Sequence, residues 1–161
     1  MLDFEQACIC IFDRSFPNVL GSGCYFHLRQ SIHRKLQALG HQNKYENDPE
    51  FSHNIHKIAA LAFLKPDDVA KGFEDLSMNL DDEYQTVLHY FEETYIGRLR
   101  ANHTRRKPMF TIGFWIHIRS GQVPKSKKKN ERFEKRLLHL ISNPHQDILT
   151  QLDSIANNIT L

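Results

Sequence analysis

Three carboxylates in this 161-residue chain have the residue type that a metal-dependent phosphoryl-transfer site requires. Asp3 directly precedes a helical pattern, and Glu131 and Glu134 lie on a later one. Two-metal catalysis needs several carboxylates that converge on one point from different elements. On pattern alone, however, Asp3 is typical of a helix N-cap, and Glu131 of an ion-pair partner for Lys135. The local pattern therefore favours capping and solvated ion pairs.

Cys24 and His27 form a second candidate group, because a thiolate and an imidazole three residues apart are able to bind a soft metal. A structural zinc site needs four ligands, and the remaining histidines show no second pair of standard spacing. A buried cysteine and a hydrogen-bonded histidine are the simpler interpretation. The alternative, a structural zinc domain, predicts stoichiometric zinc and a loss of helicity on chelation.

Basic residues are concentrated in the C-terminal part of the chain. Residues 98–161 contain 13 lysines and arginines against 4 acidic residues, whereas residues 1–97 contain 8 against 15. This asymmetry indicates a polyanionic partner, and nucleic acid is the best candidate; a solvated basic face is the alternative. Lysine and arginine neutralise phosphates, and a nearby tryptophan is able to stack on a base. The candidate DNA-binding residues are Arg98, Arg100, Arg105, Arg106, Lys107, Trp115, Lys125, Lys127, Lys128, Lys129 and Arg132.

Most of the segments that carry these candidate residues show the periodicity of α-helices. Asp48 and Pro49 are typical of a helix start, and Gly40 and Gly97 of helix ends. The pattern places Phe26, Ile32, Leu36 and Leu39 on one apolar helix face. An extended segment is predicted at 18–26, with a second candidate at 109–118. Helices are predicted after Asp3 and at 26–39, 48–63, 66–78, 81–97, 129–143 and 145–160.

The composition is that of a chain with a true hydrophobic core. Hydrophobic residues make up 40% of the sequence, so wholesale disorder is disfavoured, and the few glycines and prolines disfavour a turn-rich all-β fold. Three cysteines without a signal-peptide pattern indicate a reducing, intracellular setting without disulfides. Every apolar run is too short to cross a membrane, so no membrane partner is expected.

Six segments, in this order, resemble the catalytic core of Mutator-like element (MULE) transposases. They are DFEQA, GCYFHLRQSIHRKLQALG, AALAFLKPDDVAKGFEDL, YFEETYIG, RRKPMF with the following FW, and VPKSKKKNERFEKRL. The resemblance implies a mostly α chain that carries a partial RNase H-like α/β core, with one or two short strands and a large helical insertion. It divides the chain into a partial core at 1–40, the helical insertion at 41–123 and the final helices at 124–161.

The resemblance also assigns roles to the candidate residues. Asp3 matches the second acid and Glu131 the third acid of an Asp-Asp-Glu triad that binds Mg²⁺ or Mn²⁺ in the complete enzyme. Cys24 and His27 match a C-x-x-H signature of the family, with a structural or supporting role. The expected partners are DNA, as element ends and target, and an oligomer with full-length transposase. The protein is expected in the nucleus, or otherwise in the cytoplasm, and it is not expected to be secreted.

Two departures from the family pattern shape the functional expectation. SKKKN precedes Glu131 where the family has an asparagine-rich run, and Phe133 with Glu134 replaces an aromatic-histidine pair. The first catalytic acid and its strands also have no counterpart here. We therefore expect a transposase fragment that does not cut DNA alone and needs no cofactor in that state. Nicking that depends on Mg²⁺ or Mn²⁺ and is abolished by Asp3→Asn would contradict this. The alternative is a non-catalytic module for DNA binding or protein interaction.

Overall fold

Helices account for most of the chain, as the sequence predicts. The computed structural model describes residues 25–115 and 131–159, without the side chains of residues 131–134. Short 3₁₀ turns lie at Leu61–Phe63, Pro66–Asp68 and Asp82–Tyr84, and a π-helical turn lies at Glu92–Ile96. The α-helices of the described residues are α1 (Tyr25–Ala38), α2 (Gln42–Asn47), α3 (Pro49–Ala60), α4 (Val69–Asn79), α5 (Gln85–Phe91), α6 (Ile112–Trp115), α7 (Glu131–Ser142) and α8 (Ile148–Ala156).

Local capping signals explain where the first helices begin and end. The Asp48 side chain accepts hydrogen bonds from the backbone N–H groups of Glu50 and Phe51, both at 3.0 Å, and Pro49 occupies the first turn of α3. Gly40 has a φ of +76°, and the following residue donates from its backbone N–H to the Leu36 carbonyl at 2.9 Å. This arrangement is a Schellman motif, which requires a left-handed residue after the helix. Both predicted boundaries are confirmed.

A single hydrophobic core joins all three predicted parts of the chain. Leu28 of α1, Phe91 of α5 and Leu152 of α8 belong to the same buried cluster and are almost fully inaccessible to solvent. Helix α8 packs against α3, α4 and α7, so the last described helix is part of the same packed body. Burial of these side chains is the main source of stability, at roughly 25 cal/mol per Å² of apolar surface. No described helix has the length and apolarity that a membrane crossing demands.

Buried Gln151 fixes the connection between α7 and α8. Its Nε2 donates to the Leu140 carbonyl at 2.8 Å, and its Oε1 accepts from the His145 backbone N–H, also at 2.8 Å. Because both ends of the amide are used, the side chain is able to remain buried without an unsatisfied polar group. One side chain thus links the end of α7 to the turn before α8.

Three sequence predictions differ from the structure. Phe26 is 64% exposed, because the buried stripe of α1 runs instead through Leu28, Ile32 and Leu36. The last two residues of the extended segment predicted at 18–26 are helical, because α1 includes residues 25 and 26. Residues 18–24 lie outside the described part. The second candidate strand contains the short helix α6 at 112–115. The helix predicted directly after Asp3 also lies outside the described residues.

Candidate nucleic-acid interface

The segment after the π-helical turn folds back on itself as an antiparallel hairpin. Arg106 donates from its backbone N–H to the Arg98 carbonyl at 2.8 Å, and Arg100 donates likewise to the Thr104 carbonyl at 2.8 Å. Leu99 and Arg105 form the bridge between these bonds. His103, at the tip, has a φ of +58°, as tight reversals often require. We call residues 98–107 the basic hairpin.

The two faces of the basic hairpin differ in the number of arginines that they carry. Residues that face each other in an antiparallel pair lie on one side, and neighbours along each strand lie on the opposite side. Leu99 and Arg105 both line a crevice of about 180 Å³ against α4 and α5, which makes theirs the inner face. The outer face therefore carries Arg98, Arg100 and Arg106.

Arg105 anchors the hairpin to the helical body and is only 18% exposed. Its Nη2 donates to Glu74 at 2.6 Å, and its Nη1 donates to Glu92 at 3.0 Å and to the Gly97 carbonyl at 2.8 Å. A guanidinium suits this task, because its fixed fork of donors reaches several acceptors at once. The sequence predicts that Arg105 binds DNA; in the structure its guanidinium already pairs with both carboxylates.

Gly97 lets the returning strand approach the end of the π-helical turn. Its φ is +90°, and a Cβ at this position would overlap the Arg106 carbonyl oxygen. Its backbone N–H donates to the Glu92 carbonyl at 2.6 Å and closes the π-helical turn. Only glycine has both the backbone freedom and the missing side chain that this position needs. The base of the hairpin is therefore fixed by backbone geometry and by Arg105.

The outer face of the hairpin is an exposed cationic surface. Arg98 pairs with Glu93 at 3.0 Å and is still 49% exposed, and an exposed pair of this kind contributes little to stability. Arg100, Arg106 and Lys107 are exposed, and none of them forms an ion pair with another described residue. Arg100, Arg106 and Lys107 therefore take their counter-ions from solution or from a polyanion. Guanidinium and ammonium groups neutralise phosphates, so this surface suits the backbone of a nucleic acid.

Trp115 corrects the prediction that its ring stacks on a base. The residue is 0% exposed, and its indole Nε1 donates to the Tyr95 carbonyl at 2.9 Å. Its ring packs edge-on against Phe91 and Tyr95. Burial also raises the pKa of the Tyr95 hydroxyl, which stays protonated. Trp115 is a core residue of the helical body, and residues 98–107 contain no phenylalanine, tyrosine or tryptophan.

The remaining predicted site residues are not brought together by the described structure. His27 is half-buried on α1, with its ring 5.4 Å from the ring of Phe26. Glu131 is the first residue of α7 and Arg132 the second, but their side chains lie outside the description. Across residues 25–115 and 131–159, no three histidine, cysteine or acidic side chains are arranged to hold a metal. Outside the described residues lie Asp3, Cys24, Lys125, Lys127, Lys128 and Lys129.

Sequence reasoning missed the two carboxylates that hold the hairpin, and no local signal would have revealed them. Glu74 lies 31 residues before Arg105, on a different helix. Comparison with known proteins assigns no family: no family model matches this sequence, and neither a curated protein nor a solved structure matches it.

Proposed function

We propose that this protein binds duplex DNA through the outer face of the basic hairpin. The observation that carries this proposal is the set of exposed arginines on that face, Arg98, Arg100 and Arg106, with exposed Lys107 directly after them, on a support that Arg105 and Gly97 hold in place. Because the backbone of the hairpin is already ordered, only the side chains lose conformational freedom when they meet a row of phosphates. Binding is expected to be largely independent of sequence, since phosphate contacts carry no base information.

The resemblance to Mutator-like transposases supports the same partner. In that resemblance the hairpin belongs to the helical insertion at 41–123. The remaining family expectations are part of this proposal: a partial RNase H-like core, a nuclear location and an oligomer with full-length transposase. They rest on the ordered sequence segments alone. The hairpin adds a surface with the charge that a DNA-handling protein needs.

Salt-dependent DNA binding tests the proposal. We expect Arg98→Ala combined with Arg100→Ala and Arg106→Ala to weaken binding to every duplex by a similar factor. The slope of log affinity against log salt should fall by about 2 to 3, because each lost phosphate contact removes about 0.9 from it. Fluorescence anisotropy with two duplexes of unrelated sequence, each at several salt concentrations, measures both quantities.

A matched control separates the hairpin from general charge. Lys65→Ala with Lys71→Ala removes exposed cations that lie outside the hairpin and should change the slope little. Lys127→Ala with Lys128→Ala tests the second basic run and should weaken binding uniformly if that run also contacts phosphates. No binding at low salt, or an equal loss in the Lys65 and Lys71 variant, would contradict the role of the hairpin.

A second candidate function is participation in metal-dependent DNA strand cleavage. The observation that favours it is the position of Glu131 at the first residue of α7, where the resemblance expects the third acid to open a helix. In such an enzyme Asp3 and Glu131 would help to hold Mg²⁺ or Mn²⁺, and the metal would polarise the phosphate and activate the nucleophile. A nicking assay with purified chain, with Asp3→Asn and with Glu131→Gln tests it. Metal-dependent nicking lost in both variants would support catalysis.

A further inference from the structure

Helix α1 carries a group of cations that lie outside the basic hairpin. Residues 25–45, which contain α1 and the start of α2, include Arg29, Arg34, Lys35 and Lys44 but no aspartate or glutamate. Arg34 is exposed and Lys35 is half-buried. Neither of these two forms an ion pair with another described residue. The surface around them is therefore positively charged.

The helical geometry of α1 sets the direction of these two cations. Successive residues of an α-helix are rotated by about 100°, so Arg34 lies opposite the buried stripe of α1 and Lys35 lies at its edge. Lys35 Nζ is 5.3 Å from the centroid of the Tyr90 ring, which is the arrangement of a cation–π contact. This contact holds the ammonium group against α5 and leaves its positive charge.

Tyr90 connects this part of α1 to the basic hairpin. Ser31 Oγ lies 3.0 Å from the Tyr90 hydroxyl, so α1 contacts Tyr90 through both Ser31 and Lys35. Glu93 follows Tyr90 by three residues and is therefore its neighbour on the helix surface. The Glu93 carboxylate pairs with Arg98 of the hairpin at 3.0 Å. The cations of α1 and those of the outer hairpin face thus flank the same helical turn.

We infer that Arg34 and Lys35 contact the same DNA duplex as the basic hairpin, so that the DNA-binding surface continues across the end of α5 onto α1. This inference rests on the proposed function, because it adds contacts to a duplex that the hairpin binds. Charge complementarity supports it, since a row of phosphates supplies the anions that these cations lack within the described residues. A duplex has phosphates on both sides of each groove, so it offers partners to two separate cationic elements at once.

Salt-dependent binding of the full chain to the two duplexes used for the hairpin variants tests this inference. Arg34→Gln with Lys35→Gln removes two charges and keeps the helix propensity of the native residues. The slope of log affinity against log salt should fall by about 2, because each lost phosphate contact removes about 0.9 from it. Arg34→Gln alone changes an exposed side chain without disturbing the core, and it should lower the slope by about 1. Thermal unfolding shows that each variant is folded.

Arg29→Gln with Lys44→Gln is the matched control, because it removes the same charge from the flank of α1 that faces α2. Arg29 lines a small pocket together with Tyr45 of α2, and Lys44 belongs to α2 and pairs with Glu83. We expect this control to keep the slope of the native chain.

The outcomes separate this inference from the proposed function. A slope that falls in the hairpin variant but not in Arg34→Gln with Lys35→Gln would overturn the inference and leave the hairpin as the DNA-binding surface. An equal fall in the control variant would also overturn it, since the effect would then be one of general charge. No binding by the native chain at low salt would overturn the inference and the proposed function together.

Discussion

His56 is a histidine that folding keeps uncharged. It is 8% exposed on α3, and its Nε2 lies 3.1 Å from the Tyr45 hydroxyl. Burial is the main cause, and the nearby Arg29 and His53 contribute, in lowering the pKa of His56 from 6.5 to about 4. A charged imidazolium would lose its hydration at this site and gain no carboxylate in exchange. The neutral ring is therefore part of the folded core.

Acid should destabilise the protein through this residue. Below pH 6.5 His56 is protonated in the unfolded chain, whereas in the folded chain it stays neutral down to about pH 4. The free energy of unfolding therefore falls as the pH decreases between these two values. We expect His56 to lower the free energy of unfolding by about 2 kcal/mol between pH 7.5 and pH 5. Urea unfolding of the native chain and of His56→Gln at both pH values measures this difference.

Comparing the native chain with His56→Gln separates the effect of His56 on stability from the effects of the carboxylates. Hydrogen bonds lower the pKa of Asp147, chiefly from Thr150, and of Asp153, chiefly from His53. Their stabilising effect is present above the ordinary value of 3.8 and is lost at lower pH. His56→Gln should therefore show a shallower pH dependence between pH 5 and 7.5. Identical curves for the two proteins would contradict the assignment.

Among the structural elements, the basic hairpin depends most on a single backbone position. Gly97→Ala would put a Cβ against the Arg106 carbonyl and would force alanine to a φ of +90°. The strain alone costs roughly 1–3 kcal/mol, and the overlap must be relieved by moving the returning strand. We expect a destabilised protein whose Trp115 environment is preserved, with faster amide hydrogen exchange at residues 98–106.

Gly113→Ala is the matched control for that experiment. A Cβ at Gly113 meets no other atom within 4 Å, and its φ is not in the left-handed region. This substitution should change stability and exchange little. Native-like exchange of the hairpin in Gly97→Ala would show that Gly97 does not fix its base.

The elements that sequence predicted well are those with local signals. Asp48 and Pro49 announce the start of α3, and Gly40 the end of α1, because capping involves residues only a few positions apart. Trp115 shows the opposite case. Its neighbours in sequence are basic and aromatic, which suggested a DNA contact, but its burial depends on Phe91 and Tyr95, 20 or more residues away. The anchoring of Arg105 by Glu74 could not be predicted either, because the two residues are 31 positions apart.

For the whole molecule, the shared core predicts one cooperative unfolding transition. Leu152 is 0% exposed on α8, where it joins a cluster that reaches back to α1. Leu152→Ala should destabilise the protein by about 2–5 kcal/mol, the usual cost of a buried leucine. Trp115 fluorescence and far-UV circular dichroism should give the same midpoint in urea, before and after the substitution.

Different midpoints for the two signals would contradict a single core. They would favour parts of the chain that unfold independently, divided near the predicted boundaries at residues 40 and 123. Leu138→Ala is the control, because Leu138 is 37% exposed on α7. It should cost much less than Leu152→Ala, since a partly exposed side chain removes less apolar surface from water. The two leucines together measure how far the core extends into the C-terminal helices.

The π-helical turn at Glu92–Ile96 has a consequence for length variation. A π turn contains one residue more than an α turn, so it has the form of a single-residue insertion into an α-helix. Deletion of one residue there would convert the wide turn into an α turn and absorb the missing residue locally. In an uninterrupted α-helix the same deletion would rotate everything that follows by about 100° and shift it by about 1.5 Å along the helix axis. The π turn therefore gives the connection between α5 and the basic hairpin tolerance for a one-residue change in length.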